Sequence, residues 1–532
     1  MVYKRRKIKV MNIRKIYIYV SIAAVTLGIS SCDDYLDKLP DNRMELNSKE
    51  KVQQFLVSAY PDHNPALLAE MYSDNSDEFK VTSWTSAGRF QDQAYAWADI
   101  TEISENETPQ EIWNSLYKAM GTANTALKAI RDNGNTDDYQ PSKGEALLCR
   151  AYAAFQLANT FCMAYDATTA EKYMGVPYPT EPETKVGTTY KRGTLAAFYD
   201  QMNRDIEEGL PLITDNYSRP KYHFTRNSAY AFAALFNLYY QKYDKAVTYA
   251  TRVLGSDASS KLRDWKAFNL LTANGQVAPN NYVNISSQAN LLLQTVFSEA
   301  GAYLGPYGYA NKYAHGQLLS ETEDLQSQGP WGNSAGFGYT VWHNNSIAKY
   351  FINKIPYAFE YTDVQARIGY AHSAYPVLTT DLTLLVRAEA NAMLGKYADA
   401  VNDLNTEVRA YSGGRLSVTL ADIQSFYSGI NYYTPTTPTP KKKFNTTFSI
   451  ESTTQEPILQ AILQLRRIMT LGEGWRLQDV KRYGIVIYRR TLNGSRKVIA
   501  VTDTMKVDDP RRAIQLPQDV ITAGLPANPR NK

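Results

Sequence analysis

The sequence predicts an all-α fold in which tetratricopeptide-like helix pairs form a scaffold, interrupted by a large, irregular, loop-rich insertion. Three observations support this prediction. Apolar residues recur at helical spacing over long stretches, one helix junction occurs twice, and the composition changes between Asp264 and Pro376.

The clearest helical pattern runs from Gly144 to Met163. Its apolar positions are separated by three or four residues and therefore form one stripe along a helix. These positions are Leu147, Ala151, Phe155, Ala158 and Cys162. A second stripe of this kind, formed by Val401, Leu404 and Val408, follows Tyr397 and Ala400.

A helix junction with the pattern K-Y-x-x-A-V occurs twice in the chain. It begins at Lys242 and again at Lys396, each time after a helix rich in alanine and leucine. The alanines allow two helices to approach closely, as in the turn and second helix of a tetratricopeptide repeat. Because the copies are not separated by a whole number of ~34-residue units, we expect helix pairs with insertions between them and no continuous solenoid.

The insertion from Asp264 to Pro376 is rich in Gly, Asn, Ser and aromatic residues and shows little helical period. A shorter segment of similar character runs from Tyr72 to Trp97. Loop aromatics on a rigid scaffold are typical of binding surfaces, because a ring offers apolar area at low entropic cost. A single loop aromatic more often fills a small core than contacts a ligand, so the pattern favours the region more than any one residue.

The first 31 residues have the features of a bacterial lipoprotein signal peptide. Seven basic residues and no acidic one precede Cys32, and the apolar stretch of about fourteen residues is too short to span a bilayer. Small residues lead directly into Cys32, which predicts lipidation of its thiol. Either Met1 or Met11 would provide a complete signal.

We expect three parts in the chain: the signal peptide at 1–31, a lipidated polar stalk at 32–50, and a single domain at 51–532. Without the seven basic residues of the signal, 50 basic residues stand against 53 acidic ones. The mature protein is therefore near neutral, which argues against nucleic-acid binding.

The cysteines and histidines give no sign of a metal site. Cys149 and Cys162 are predicted in one helix, roughly 20 Å apart at ~1.5 Å per residue, so a disulfide between them is excluded and two buried thiols are expected. The five histidines are scattered and show no ligand spacing. No metal or cofactor site is predicted.

Two local motifs resemble sites of other chemistry. Residues Gly332 to Gly336 match G-x-S-x-G, but the buried strand and following helix of a hydrolase nucleophile elbow are not predicted around them. The run Asp74, Ser76, Glu78 resembles a calcium loop without its sixth-position glycine, and solvated loop acids are expected there. We therefore expect a protein that is not an enzyme, although two carboxylates brought together only by the fold cannot be recognised in a sequence.

Motifs spread along nearly the whole chain resemble those of the SusD/RagB family of surface lipoproteins. Gly144-Glu145-Ala146, Arg150-Ala151-Tyr152, Phe155 and Gly175-Val176-Pro177 resemble its G-E-A, R-A-Y, F and G-V-P elements. Further similar elements are Arg192 and Thr194 before Tyr199 and Asp205; Arg466-Arg467-Ile468, Glu473-Gly474, Arg476, Asp479 and Arg482-Tyr483; Leu516-Pro517; and Asn528-Pro529. Leu465, Leu384 and the stretch from Cys162 to Met174 depart from the family pattern. We expect Glu145, Arg150, Glu473 and Arg476 to pair with other charges and fasten helix ends.

The resemblance implies a SusD-like fold and a glycan-binding lipoprotein on the outer face of the outer membrane. Such a protein captures oligosaccharides and passes them to a SusC-like TonB-dependent transporter, without catalysis. Asp33 and Asp34 after Cys32 resemble an export signal for surface display. The first alternative is a peptide-binding, RagB-like uptake lipoprotein, since a helical-repeat groove can hold an extended peptide. A further alternative is a glycoside hydrolase.

The candidate ligand-binding residues come from the two aromatic segments. Tryptophans serve as stacking platforms for a sugar ring, Arg89 serves as a polar partner, and two tyrosines supply further contacts. The predicted set is Trp84, Arg89, Trp97, Tyr307, Tyr309, Trp331 and Trp342.

Overall fold

Helices dominate the part of the chain that the computed structural model describes, residues 45–80, 87–184, 188–307, 312–344 and 347–530. The lipidation residue predicted at Cys32 lies outside this part. The helices are α1 (Lys49–Leu56), α2 (Ala66–Tyr72), α3 (Arg89–Tyr95), α4 (Pro109–Asp132), α5 (Gln140–Phe161), α6 (Leu195–Gly209), α7 (Arg226–Tyr239), α8 (Tyr243–Leu254), α9 (Trp265–Asn269), α10 (Val277–Tyr282), α11 (Ala300–Tyr303), α12 (Gln317–Thr322), α13 (Thr380–Met393), α14 (Tyr397–Tyr411), α15 (Leu420–Gly429), α16 (Gln455–Met469), α17 (Arg476–Arg482) and α18 (Gln518–Thr522).

The strands are short and lie mostly in the insertion. They are β1 (Asp77–Phe79), β2 (Asn290–Phe297), β3 (Tyr313–Ala314), β4 (Gln328–Gly329), β5 (Gly332–Asn333), β6 (Val341–Asn344), β7 (Ile347–Ile352), β8 (Ala358–Asp363), β9 (Ile368–Thr379), β10 (Ile487–Leu492) and β11 (Val498–Met505).

The scaffold consists of packed helix pairs, as the periodicity predicts. Helices α4 and α5, α7 and α8, and α13 and α14 pack against each other, and α8 also packs on α13. Between α5 and α7 the core is aromatic, with the Phe155 ring 5.7 Å from Phe232 and 5.3 Å from Tyr239.

The two K-Y-x-x-A-V junctions have the same turn. Lys242 N donates to Asn237 O at 2.8 Å, and Lys396 N donates to Asn391 O at 2.9 Å. The residue before each lysine has a positive φ, 61° at Gln241 and 73° at Gly395. This left-handed residue closes the first helix of each pair and starts the second, so the sequence repeat corresponds to a structural one.

The all-α prediction is correct for the scaffold and wrong for the insertion. Residues 264–376 hold β2 to β8 and most of β9, and β2, β9 and β8 form an antiparallel sheet in that order. A second sheet has the order β11, β10, β1, β3, with β1 parallel to β10. The backbone hydrogen bonds of these strands come from long-range pairing. Local periodicity does not reveal that pairing.

Charged groups fasten the helices, as expected from their motifs. Arg150 on α5 forms a bidentate ion pair with Asp205 on α6, at 2.6 and 2.8 Å. The buried Glu145 carboxylate accepts hydrogen bonds from Tyr60 Oη at 2.7 Å and Tyr217 Oη at 3.2 Å. Glu473 pairs with Lys354 at 2.5 Å. These side chains hold the scaffold together.

Cys149 lies within α5 and Cys162 directly follows its last residue. Both thiols are free and buried, which confirms the prediction for these two residues. The described residues from Asn47 onward form one compact unit. Among the described helices, none combines the length and apolar character needed to cross a membrane.

Candidate functional site

The two aromatic segments identified in the sequence meet in the fold. Strand β1, from the first segment, pairs antiparallel with β3, from the insertion. The ring of Tyr95 on α3 stacks on Tyr313 at 4.2 Å. Asp92, also on α3, accepts hydrogen bonds from Lys312 Nζ at 2.8 Å and Tyr313 Oη at 2.6 Å. Segments more than 200 residues apart in sequence therefore build one surface.

A small cavity of about 40 Å³ lies where these segments meet, and we call it the junction cleft. Its wall combines aromatic and aliphatic side chains with a few amines and amides, including Gln91, Tyr303, Tyr313, Lys349, Tyr350 and Lys354. Its volume is far below the roughly 300–1,000 Å³ of small-ligand sites, so it has room for a few water-sized groups and not for a sugar ring.

Lys349 organises one side of the junction cleft. Its side chain is buried, and Nζ donates to three carbonyl oxygens, at 2.9 Å to Tyr307, 3.3 Å to Gly305 and 3.4 Å to Ala302. Burial lowers the pKa of Lys349 to about 7, because the ammonium ion is removed from water. Lys349 therefore anchors the segment from Ala302 to Tyr307.

Gln91 offers a free donor to the same cleft. Its side chain is buried, and Oε1 accepts a hydrogen bond from Gly88 N at 3.0 Å. Among the described residues, Nε2 of Gln91 has no acceptor. A buried amide without a partner is costly, and a ligand oxygen in the cleft would satisfy it.

The titratable groups of the junction cleft are engaged within the protein. Burial disfavours the charged imidazole of His315, but the adjacent Asp324 carboxylate, 2.9 Å from Nε2, raises its pKa. Burial raises the pKa of Glu70, which accepts hydrogen bonds from Asn75 Nδ2 at 2.7 Å and Gly474 N at 2.8 Å. These contacts stabilise the cleft wall.

Two of the predicted stacking residues are buried. Trp97 is 1% exposed, its Nε1 donates to Tyr72 O at 2.8 Å, and the Arg489 guanidinium lies 4.0 Å from the ring centroid. Trp331 is 4% exposed, and its Nε1 donates to Ser334 Oγ at 3.0 Å. Neither ring presents an open face to a ligand in this structure, which is contrary to the expectation of stacking platforms.

Three of the predicted residues remain accessible. Arg89 is exposed at the start of α3. Tyr307 and Trp342 are partly exposed; Tyr307 Oη accepts from Gln276 Nε2 at 3.2 Å, and Trp342 Nε1 donates to Asn274 Oδ1 at 2.8 Å. Trp84 and Tyr309 fall in residues 81–86 and 308–311, outside the described part of the chain.

The G-x-S-x-G motif has no nucleophile elbow around it. Ser334 is fully buried and opens a single 3₁₀ turn that follows the β4–β5 hairpin. A long buried strand before the serine and an α-helix after it are both missing from this described segment, so the structure agrees with the sequence-based argument.

The acidic run near residue 74 is not solvated, contrary to expectation. Asp74 is buried, and its carboxylate forms a bidentate ion pair with Arg476 at 2.7 and 2.8 Å. The carboxylate also lies 3.4 Å from Lys442. Its sequence neighbours gave no sign of these partners, since both come from the last hundred residues of the chain.

Sequence reasoning missed Gln91 and Lys349. Gln91 is a polar residue at a buried position of α3, and Lys349 is a lysine within the otherwise apolar strand β7. For Lys349 the available signal was a charged residue in an apolar run, whereas the polar sequence around Gln91 gave none. Only the packing shows which groups these side chains meet.

Comparisons with known proteins agree on one family. Residues 34–238 match the SusD-like family model, described as starch-binding associating with outer membrane. A curated relative, SusD-like protein P38 of Formosa agariphila, is 23% identical over 290 residues, covering 52% of this chain and 53% of that protein. The chain thus spans about half the length of the curated relative it matches.

Solved structures show the fold. A SusD superfamily protein of Bacteroides vulgatus aligns with a TM-score of 0.61 at 17% identity, covering 91% of this chain and 100% of that one. One from Bacteroides thetaiotaomicron gives 0.60 at 18% identity, with coverage of 91% and 100%. A laminarin-binding SusD-like protein gives 0.54 at 18% identity, with coverage of 91% and 99%.

Proposed function

We propose that the chain belongs to the SusD/RagB family and is a surface lipoprotein that captures oligosaccharides for a SusC-like TonB-dependent outer-membrane transporter. The observation that carries this proposal is the meeting of the two aromatic segments at the junction cleft. Tyr95 stacked on Tyr313 fixes this surface on the helical scaffold. Sugar rings stack on aromatic faces, while amides and charged groups bind their hydroxyls.

The proposed ligand-contacting residues are the accessible members of the predicted set, which lie outside the lining of the junction cleft, together with the buried Gln91, which lines it. Trp342 and Tyr307 supply rings, Arg89 supplies a charged donor, and Gln91 adds the free amide described above. Trp84 and Tyr309 remain predicted contacts. The fold shared with a laminarin-binding protein supports a glycan ligand.

Anchoring at Cys32 is part of the proposal. A lipid on Cys32 followed by a polar stalk would hold the body next to its transporter. We expect Cys32→Ala to abolish surface display and glycan uptake while leaving the affinity of the purified protein unchanged. Membrane-bound Cys32→Ala protein at the cell surface would contradict the lipidation of Cys32.

Titration of the purified protein against a panel of polysaccharides and peptides tests the ligand class. Saturable binding of a glycan that is recovered intact supports the proposal. Affinity for peptides alone would favour the RagB-like alternative, and cleavage of a bound glycan would favour a glycoside hydrolase.

A further inference from the structure

A second cleft, of about 490 Å³, lies where α7 begins, and we call it the basic cleft. Its lining includes Lys221, Asn227, Lys261 and Gln288, and it shares no residue with the lining of the junction cleft. Its volume lies within the roughly 300–1,000 Å³ that is usual for small-ligand sites.

Two lysines of the basic cleft have carbonyl partners and no carboxylate partners. Lys221 Nζ donates to Asn290 O, and Lys261 Nζ donates to Val253 O at 2.8 Å. Within the described residues, neither amine takes part in an ion pair. Burial lowers the pKa of Lys221, as expected for an ammonium ion that is desolvated without a compensating negative charge.

The one acidic side chain of the described cleft wall, Asp215, is already neutralised. Its carboxylate accepts hydrogen bonds at 2.8 Å from both the backbone N and the Nη1 of Arg226. Helix α7 begins at Arg226, so the positive end of its dipole is also at the cleft. The charges in this cleft therefore favour an anion.

We propose that the basic cleft binds an anionic sugar residue, one that carries a carboxylate or a sulfate ester. Lys221 and Lys261 would bind the anionic group, and the side-chain amides of Asn227 and Gln288 would bind sugar hydroxyls. This proposal rests on the proposed function and specifies its substrate class: acidic glycans. The lysine amines supply positive charge for the anionic group, and the amides supply hydrogen-bond donors and acceptors for the hydroxyls. An acidic sugar carries both kinds of group.

Calorimetric titration with matched oligosaccharides tests the proposal. The probes are an oligogalacturonate, a sulfated galactan oligosaccharide and a neutral galactan oligosaccharide of equal length. We expect at least one anionic probe to bind about tenfold more tightly than the neutral one, and that preference to weaken between about 20 and about 200 mM salt. Comparing the two anionic probes distinguishes carboxylate from sulfate.

The test variant is Lys221→Gln/Lys261→Gln, and the matched control is Lys128→Gln/Lys245→Gln, which removes two lysines that pair with surface acids outside the cleft. The test variant should lose about tenfold in affinity for the anionic probe, and the control should stay within about twofold. If the test variant does not fold, reductive methylation of the wild-type protein gives an independent readout. Bound anionic glycan should then protect Lys221 and Lys261 and leave Lys128 reactive.

Equal affinity for anionic and neutral probes would overturn this inference while leaving the proposed function intact. An equal loss in the control variant, or methylation of Lys221 and Lys261 unaffected by the ligand, would also overturn it. Binding of acidic peptides with no glycan binding of any charge would overturn both proposals.

Discussion

Asp74 and Arg476 are 402 positions apart in the chain and form a buried bidentate ion pair. Asp74 follows α2, and Arg476 begins α17, so the pair joins segments from the first and last hundred residues of the chain. Burial opposes ionisation of Asp74, but the nearby Arg467 and Arg476 hold its pKa well below the usual range. The carboxylate stabilises the fold in its charged form.

Asp74→Asn should therefore be strongly destabilising. It leaves buried cations without their counter-charge, a change that typically costs about 3–5 kcal/mol. Urea unfolding measures the loss. Because the folded pKa of Asp74 is depressed, its contribution is present above the pKa of the unfolded state and is lost as pH falls toward the folded value, so the difference between wild type and variant should shrink in acid.

The matched control for that substitution is Asp132→Asn, which breaks an exposed pair with Lys128 on one helix. Exposed pairs contribute little to stability. Similar effects of the two substitutions would contradict a structural role for the Asp74 pair.

Trp97→Ala should act on stability more than on binding. The ring is buried against the Arg489 guanidinium, and removal of a buried tryptophan costs about 3–5 kcal/mol. Thermal unfolding should show a large drop in Tm, while glycan affinity of the folded fraction stays close to wild type. A loss of affinity with unchanged Tm would restore the predicted stacking role.

Trp342→Ala should show the opposite pattern. The ring is partly exposed and packs on Phe351 at 4.9 Å, so its loss should affect the fold little. We expect a drop of about tenfold in glycan affinity, equivalent to about 1.4 kcal/mol. Tyr432→Ala, which removes an exposed ring far along the chain at a different cleft, is the control for loss of any surface aromatic. Affinity within about twofold of wild type would remove Trp342 from the site.

Lys349→Met should weaken binding by releasing the segment from Ala302 to Tyr307. Because burial lowers the folded pKa of Lys349 to about 7, the unfolded chain binds more protons than the folded one between that pH and the ordinary lysine range. The contribution of Lys349 to stability therefore rises with pH over this interval. Unfolding free energies at pH 7 and pH 9 should show wild type gaining stability relative to the variant, and a difference independent of pH would contradict the lowered pKa of Lys349.

The sequence identified the elements whose pattern is local. The stripe from Leu147 to Cys162 lies on a helix, and the two K-Y-x-x-A-V motifs form the same turn. The charged family motifs also paired as expected, with Arg150 on Asp205, because their function is to fasten neighbouring helices. These features depend on spacing that a short stretch of sequence contains.

Composition alone did not predict the strands of the insertion. Strands β2 and β9 are paired along most of their length, although the segment was expected to be irregular. The stability of a strand comes from its partner, and β2 and β9 are separated by about seventy residues whose path the sequence does not show.

Local sequence patterns were enough to recognise the helical scaffold, the signal-like N-terminus and the two aromatic segments that build the candidate site. Which rings face solvent depends on the tertiary structure. Trp97 and Trp342 look alike as loop tryptophans, yet Arg489, from a strand near the end of the chain, covers the first, while the second stays accessible. Burial of a side chain depends on which distant groups pack against it, and that is fixed when the whole chain folds.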